Sequence, residues 1–168
     1  HRPWNLDRSI WPSDLGILAY HLAFDEGLTL GFNPCLAAVL ELNDIEILGT
    51  KEGRPIGMTG QVPTHSFDWY CDRLTTEFHG LDAVRSYPGE ISKIAVVGAM
   101  TNALVREAAD RNIHLYITGQ LRKAAELALQ ETGLGCIAVG HQRSEVWGLR
   151  SLAQILQQRW PHLVIVCK

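Results

Sequence analysis

The sequence predicts an α/β fold: a mostly parallel sheet with helices packed on it. Two observations carry that prediction. The runs Ile94–Val97, Cys136–Val139 and Leu163–Cys167 are apolar and of strand length. The stretches between them repeat apolar residues at helical spacing. Strand and helix therefore alternate, which calls for parallel strands joined by right-handed crossovers.

In chain order, Gly16–Tyr20 reads as a strand leading into His21. Asn33-Pro34 opens a helix over Pro34–Leu42, with Asn33 as N-cap and Pro34 at the first helical position. Ile45–Leu48 and Ile56–Val62 are strands around the turn Lys51-Glu52-Gly53-Arg54. Ser66 caps a helix that runs to about His79, where Gly80 ends it. Leu81–Tyr87 is another strand, followed by the Pro88-Gly89 turn. A linker at Tyr87–Glu90 either divides two parts, 1–90 and 91–168, or merely joins two strands of one domain. After the strand Ile94–Val97, Thr101-Asn102 caps a helix whose apolar face is Leu104, Val105, Ala108 and Ala109. Ile113–Ile117 is a strand. Leu121–Thr132 is a helix, with Gly133 as its stop. Cys136–Val139 leads into a helix marked by Leu149, Leu152, Ile155 and Leu156, which ends near Trp160-Pro161. Leu163–Cys167 closes the sheet as a fourth strand of this half.

Composition narrows the function classes. The 168 residues suffice for one domain with a core, and 46% hydrophobic with 20% charged residues is ordinary globular usage. A net charge of -3, with no basic run, gives electrostatic nucleic-acid binding little support. The apolar runs are too short to cross a membrane. Cys35, Cys71, Cys136 and Cys167 are scattered and form no C-x-x-C pair. Cys136 and Cys167 lie in apolar runs and behave as small hydrophobes, so a reducing, cytoplasmic setting is expected. The chain opens on His-Arg-Pro-Trp rather than Met. A preceding segment, and with it part of the sheet, is therefore expected to be missing.

The sharpest chemical signal is Gly140-His141-Gln-Arg-Ser-Glu145, directly after a strand. Ligands collect at the carboxyl ends of parallel strands. His141 and Glu145 are four apart at a helix start and can face one way, and imidazole with carboxylate is a usual donor set for Zn, Mn or Fe. The plainer alternative is a first-turn carboxylate and a neighbouring imidazole stabilised by the helix dipole. Tyr20-His21-Leu-Ala-Phe-Asp25 also follows a strand. Its His21 and Asp25 are ligands, a catalytic pair, or a loop histidine beside a turn-forming aspartate. His1-Arg2-Pro3 is either a meaningless terminus or the cut edge of a motif. His65, His79, His114 and His162 have no partner at ligand spacing and read as structural or surface residues. Thr118-Gly119-Gln120 sits between a strand and a helix, where backbone N–H groups can bind anions, but it lacks the glycines and lysine of a P-loop.

Together these pieces resemble the Nif-three-like dinuclear metal-centre family, the type 2 GTP cyclohydrolase I homologues. His1-Arg2-Pro3 is similar to that family's His-His-Pro, and Tyr20-His21-Leu22-Ala23-Phe24-Asp25 to its Ala-His-Thr-Asn-Leu-Asp. Gly31-Phe32-Asn33 resembles Gly-Gly-x-Asn, and Tyr116-Ile-Thr-Gly119 resembles Tyr-Ile-Thr-Gly-Asp/Glu. Gly140-His141-Gln-Arg-Ser-Glu145 resembles Gly-His-Tyr-Ala-Thr-Glu, with Gly148-Leu149 following in place. Five motifs in order cover nearly the whole chain. The resemblance implies a two-metal site held by His1, Asp25, His141 and Glu145, with Glu145 bridging and His21 a ligand or proton carrier. It implies one or two divalent ions (Zn, Mn or Fe), a small-molecule substrate and a homo-oligomer, a hexameric toroid. The reaction class it implies is metal-dependent hydrolysis of a nucleotide or phosphoester, GTP cyclohydrolase chemistry included; the rival is a non-enzymatic metal carrier or ring-forming scaffold. The departures are specific. Arg2 replaces a ligand histidine and cannot bind a cation, though it can hold an anionic substrate. Leu22-Ala23 replaces Thr-Asn, Gln120 replaces the acidic residue, and Ala124 stands where a histidine is usual.

Overall fold

The structure, a computed structural model, describes residues 14–16 and 31–167. The expected strand and motif residues at 17–25, and His1 and Arg2, lie outside the described residues. The described elements are α1 (Phe32–Val39), β1 (Asn43–Lys51), β2 (Arg54–His65), α2 (Phe67–Phe78), β3 (Ala83–Arg85) and β4 (Ile91–Val97). There follow α3 (Asn102–Asp110), β5 (Leu115–Thr118), α4 (Lys123–Thr132), β6 (Gly135–Ala138) and α5 (His141–Arg159).

The strands form one six-stranded sheet in the order β1-β2-β4-β5-β6-β3. Its centre is parallel: β4 pairs with β5 and β5 with β6. The chain β4-α3-β5-α4-β6 builds this centre from the strand–helix alternation legible in the sequence. The flanks are antiparallel. The hairpin β1-β2 turns tightly at Glu52-Gly53, β2 runs antiparallel to β4, and β3 lies antiparallel along β6. The α/β class holds, but the described sheet is mixed rather than mostly parallel.

The antiparallel β3 also explains a second correction. Residues 163–167 form no strand. The free side of β6, where a fourth parallel strand would add, is already taken by Ala83–Arg85 through the pairs Ala83↔Ala138, Val84↔Ile137 and Arg85↔Cys136. The run stays outside the sheet, with Val164 92% exposed, and Cys167 is exposed rather than core. The expected strand Leu81–Tyr87 shrinks to these three residues.

Strand alternation sorts the core onto two faces. Ile94, Val96, Leu115, Ile117 and Ile137 meet α1 and α2 through Phe32, Leu36, Tyr70, Leu74 and Phe78. Ala95, Val97, Tyr116 and Cys136 meet α3 and α4 through Leu104, Val105, Ala108, Ala125, Ala128 and Leu129. The sheet is therefore covered on both sides, and β5 and β6 at its centre are buried along their whole length. Capping follows the sequence at α2, where Ser66 Oγ accepts the Trp69 N–H, and at α3, where Thr101 Oγ1 accepts that of Leu104. Gly133 ends α4. The apolar face foreseen on α5 is largely open, with Leu149 and Ile155 exposed.

Asn33 is not the N-cap. Helix α1 begins two residues earlier, with Gly31 at the cap, and Asn33 sits buried in its first turn. Its side chain donates from Nδ2 to Ile56 O at 3.1 Å and accepts from the Gly98 N–H at Oδ1, also 3.1 Å. It fastens α1 to β2 and to the carboxyl end of β4.

Candidate metal centre

Strands β4, β5 and β6 end in register. The pairs Val96↔Ile117 and Ile117↔Ile137 bring Gly98, Gly119 and Gly140 to the same edge of the sheet. The edge is continued by backbone bonds from Val139 N to Thr118 O and from Gly140 N to Gly119 O, both 2.9 Å. Thr118 is fully buried there, and its hydroxyl has no hydrogen-bond partner among the described residues.

Helix α5 starts directly on this edge. Its N-cap, Gly140, has φ 102°, a region a side chain adopts only with strain. The turn brings Arg143 back across Gly140. The guanidinium donates from Nε to Val139 O at 2.9 Å and pairs through Nη2 with Asp82 beside β3. Ser144 is buried. Its N–H donates to Gly140 O at 2.9 Å and its hydroxyl donates to His141 O at 2.7 Å. Farther along, Trp147 donates from Nε1 to Glu77 Oε1 at 2.7 Å and packs against Phe32 and Phe78. Helix α5 is thus fixed in rotation at two points.

That rotation leaves His141 and Glu145 side by side on the solvent side of the first turn, 61% and 51% exposed, with His141 Nε2 3.3 Å from Glu145 Oε1. Two donors each about 2.0–2.1 Å from one tetrahedral ion stand roughly 3.3 Å apart. The pair therefore fits two corners of a metal site in both chemistry and spacing. The described residues supply half a site at most: no group of three or more His, Cys, Asp or Glu comes together among them. Asp25, His1, His21 and Arg2 lie outside the described residues. Gln120, at the position where the resemblance implied an acidic residue, is exposed on the loop after β5.

The other histidines match the structural and surface reading. His65 stacks on Trp69 at 3.8 Å. His114 stacks on Tyr87 and accepts the Ser92 N–H at Nδ1, 3.2 Å away. Burial and nearby Lys93 push the His114 pKa down, which suits a nitrogen that must accept. Sequence reasoning missed Arg143, Ser144, Trp147 and the strap at Asn33. Only the positive-φ demand at Gly140, directly between a strand and a helix, signalled that a tight turn must be held there.

The family model Duf34/NIF3 (NGG1p interacting factor 3) matches residues 8–168. The chain belongs to this family. Among curated NIF3 relatives, the GTP cyclohydrolase 1 type 2 homolog of Pyrococcus abyssi is 25% identical over 156 residues, covering 91% of this chain and 62% of that protein. The Deinococcus radiodurans protein of the same name is 27% identical over 160 residues, 91% of this chain and 59% of the relative. The chain thus spans about three-fifths of the length of these relatives. Among solved structures, TTHA1606 from Thermus thermophilus matches with a TM-score of 0.69 at 23% identity, over 88% of this chain and 58% of that one. Reduced HcgD from Methanocaldococcus jannaschii matches with a TM-score of 0.68 at 21% identity, over 83% and 55%. These two share the NIF3-like fold. Among the described residues no helix is long and apolar enough to cross a membrane.

Proposed function

We propose that this NIF3-family chain holds a divalent-metal centre at the carboxyl edge of β5 and β6 and uses it to hydrolyse a nucleotide or another phosphoester. The observation that carries the reading is the 3.3 Å spacing of His141 Nε2 and Glu145 Oε1 at the start of α5. In this reading His141 and Glu145 are ligands from one helical turn. Asp25 and His1 would complete the donor set, Glu145 would serve both ions where two are held, and the metals would be Zn, Mn or Fe. A divalent ion held there would supply Lewis-acid polarisation and make water a better nucleophile near neutral pH. His21 moves the proton and Arg2 holds the substrate's anionic group.

An anionic substrate also suits the backbone. Helices α4 and α5 both begin at this edge, and among the described residues neither has a side-chain cap on its first N–H groups. The name that the curated relatives carry, GTP cyclohydrolase 1 type 2 homolog, adds opening of the purine ring of GTP to the candidate reactions. The exposure of His141 and Glu145 favours a second reading, a carrier or ring-forming scaffold that exchanges ions with solvent.

Turnover separates the two. The protein, loaded with Zn or Mn, is assayed against a panel of phosphoesters and nucleotides, GTP among them. The hydrolase reading expects metal-dependent turnover that chelation removes and Glu145→Gln abolishes. Metal retained with no turnover on the whole panel would leave the carrier and discard the hydrolase.

A further inference from the structure

We propose that Gly119 and Ser144 are a matched pair of positioning residues that set the pose of the His141–Glu145 turn. Gly119 directly follows β5, and Ser144 lies in the first turn of α5. The two elements are joined by the bond from Gly140 N to Gly119 O. A Cβ built on Gly119 would lie 2.8 Å from Ser144 Oγ, closer than real Cβ contacts come. Its next neighbours, His141 Cα and Ser144 Cβ, would both be at 3.7 Å, an ordinary van der Waals distance. Gly119 is not among the positive-φ glycines, so its backbone accepts alanine. The constraint at this position is the space filled by one hydroxyl.

That hydroxyl is not free to leave. It donates to His141 O at 2.7 Å, and Ser144 is buried with its N–H on Gly140 O. A side chain at 119 must therefore push either Ser144 or the whole first turn outward. His141 begins that turn and Glu145 follows Ser144, so both donors move with it. The missing Cβ and the hydroxyl together fix how closely the ligand turn approaches the strand ends. This inference rests on the metal reading for its consequence, but not for its geometry.

The experiment compares Gly119→Ala, Ser144→Ala and the double variant in the full chain. Amide hydrogen exchange at Gly140 and Ser144 reads the geometry without metal, and Zn²⁺ titration reads the consequence. Gly119→Ala is expected to lose amide protection at both positions and to bind Zn²⁺ about tenfold more weakly, the range seen when a ligand's support is removed. Ser144→Ala alone, which drops the bond to His141 O and leaves the space beside Gly119 unfilled, is expected to bind Zn²⁺ about threefold more weakly. The double variant regains protection and returns to within about threefold of wild-type affinity, a rescue that general destabilisation would not give. Unchanged protection in Gly119→Ala, or no rescue in the double variant, overturns the pairing. Lost protection with unchanged affinity overturns its positioning role. If Gly119→Ala does not fold, the double variant decides: folded and protected supports the pairing, unfolded overturns it. If wild type takes up no Zn²⁺, the metal reading falls and the exchange pattern alone judges the pair.

Discussion

Asn33 separates two accounts of the start of α1 by a sign. If Asn33 capped the helix, Asn33→Asp would be neutral or stabilising, because aspartate caps as well as asparagine and suits the helix dipole. In the structure Asn33 is 2% exposed and joins Ile56 O to Gly98 N–H. Alanine strands both backbone groups. Each buried, unsatisfied group costs about 1–3 kcal/mol. Ile56 is half-buried, but Gly98 is exposed and recovers a water, so the expected loss is about 2 kcal/mol. Aspartate keeps the acceptor for Gly98 but loses the donor to Ile56 and sets a buried carboxylate beside a carbonyl oxygen. Its expected loss at neutral pH is larger, about 3 kcal/mol. Burial raises the folded-state pKa of that carboxyl above its unfolded value near 3.9. The folded state then binds the proton more tightly, so the aspartate variant recovers stability relative to wild type as pH falls through the raised pKa. Urea unfolding of wild type and both variants at pH 7 and pH 5 reads all of this from the midpoints at constant slope. An aspartate variant as stable as wild type at pH 7 would refute the strap and restore the cap.

Two further outcomes follow from buried polar groups. The Tyr70 hydroxyl donates to Pro63 O at 3.1 Å and burial pushes its pKa up to about 12; burial pushes Tyr116, which donates to Ala99 O at 2.8 Å, higher still. Because the folded-state values are raised, stability is full below the ordinary tyrosine value near 10 and is lost as pH rises through it toward 12. Phenolate absorbance from both residues should therefore appear together with unfolding, and ionisation near 10 in a folded protein would contradict the burial. Trp147→Phe keeps the ring against Phe32 and Phe78 but drops the bond to Glu77. It should cost about 1–2 kcal/mol in urea unfolding, and an unchanged midpoint would show that the bond does not anchor α5.

What was legible in the sequence is what local patterning decides. The runs at Ile94, Cys136 and Ile117 are apolar on both faces because helices cover both faces, so their strands stood out. Ser66, Thr101 and Gly133 mark helix ends by local chemistry, and the structure uses all three. Pairing partners are not local. Nothing in Ala83-Val84-Arg85 announces that it will take the edge of β6, and that choice left residues 163–167 outside the sheet. Asn33 failed for the same reason: Asn-Pro is a good local cap, but long-range bonds to Ile56 and Gly98 win. At the site, the four-residue spacing of His141 and Glu145 was readable because a helix start places such residues together. The supports beneath them, Ser144 against Gly119 and Arg143 against Val139 O and Asp82, depend on how two strand ends meet and leave no pattern in one dimension.

The central claim is that His141 and Glu145 hold a divalent ion. The direct measurement is metal content per chain by elemental analysis after mild purification and Zn²⁺ or Mn²⁺ reloading, for wild type, His141→Ala and Glu145→Gln. The account predicts one or two ions per wild-type chain and loss of occupancy in both variants, each still folded by circular dichroism. No metal in the wild type after reloading, or full occupancy in both variants, would contradict it.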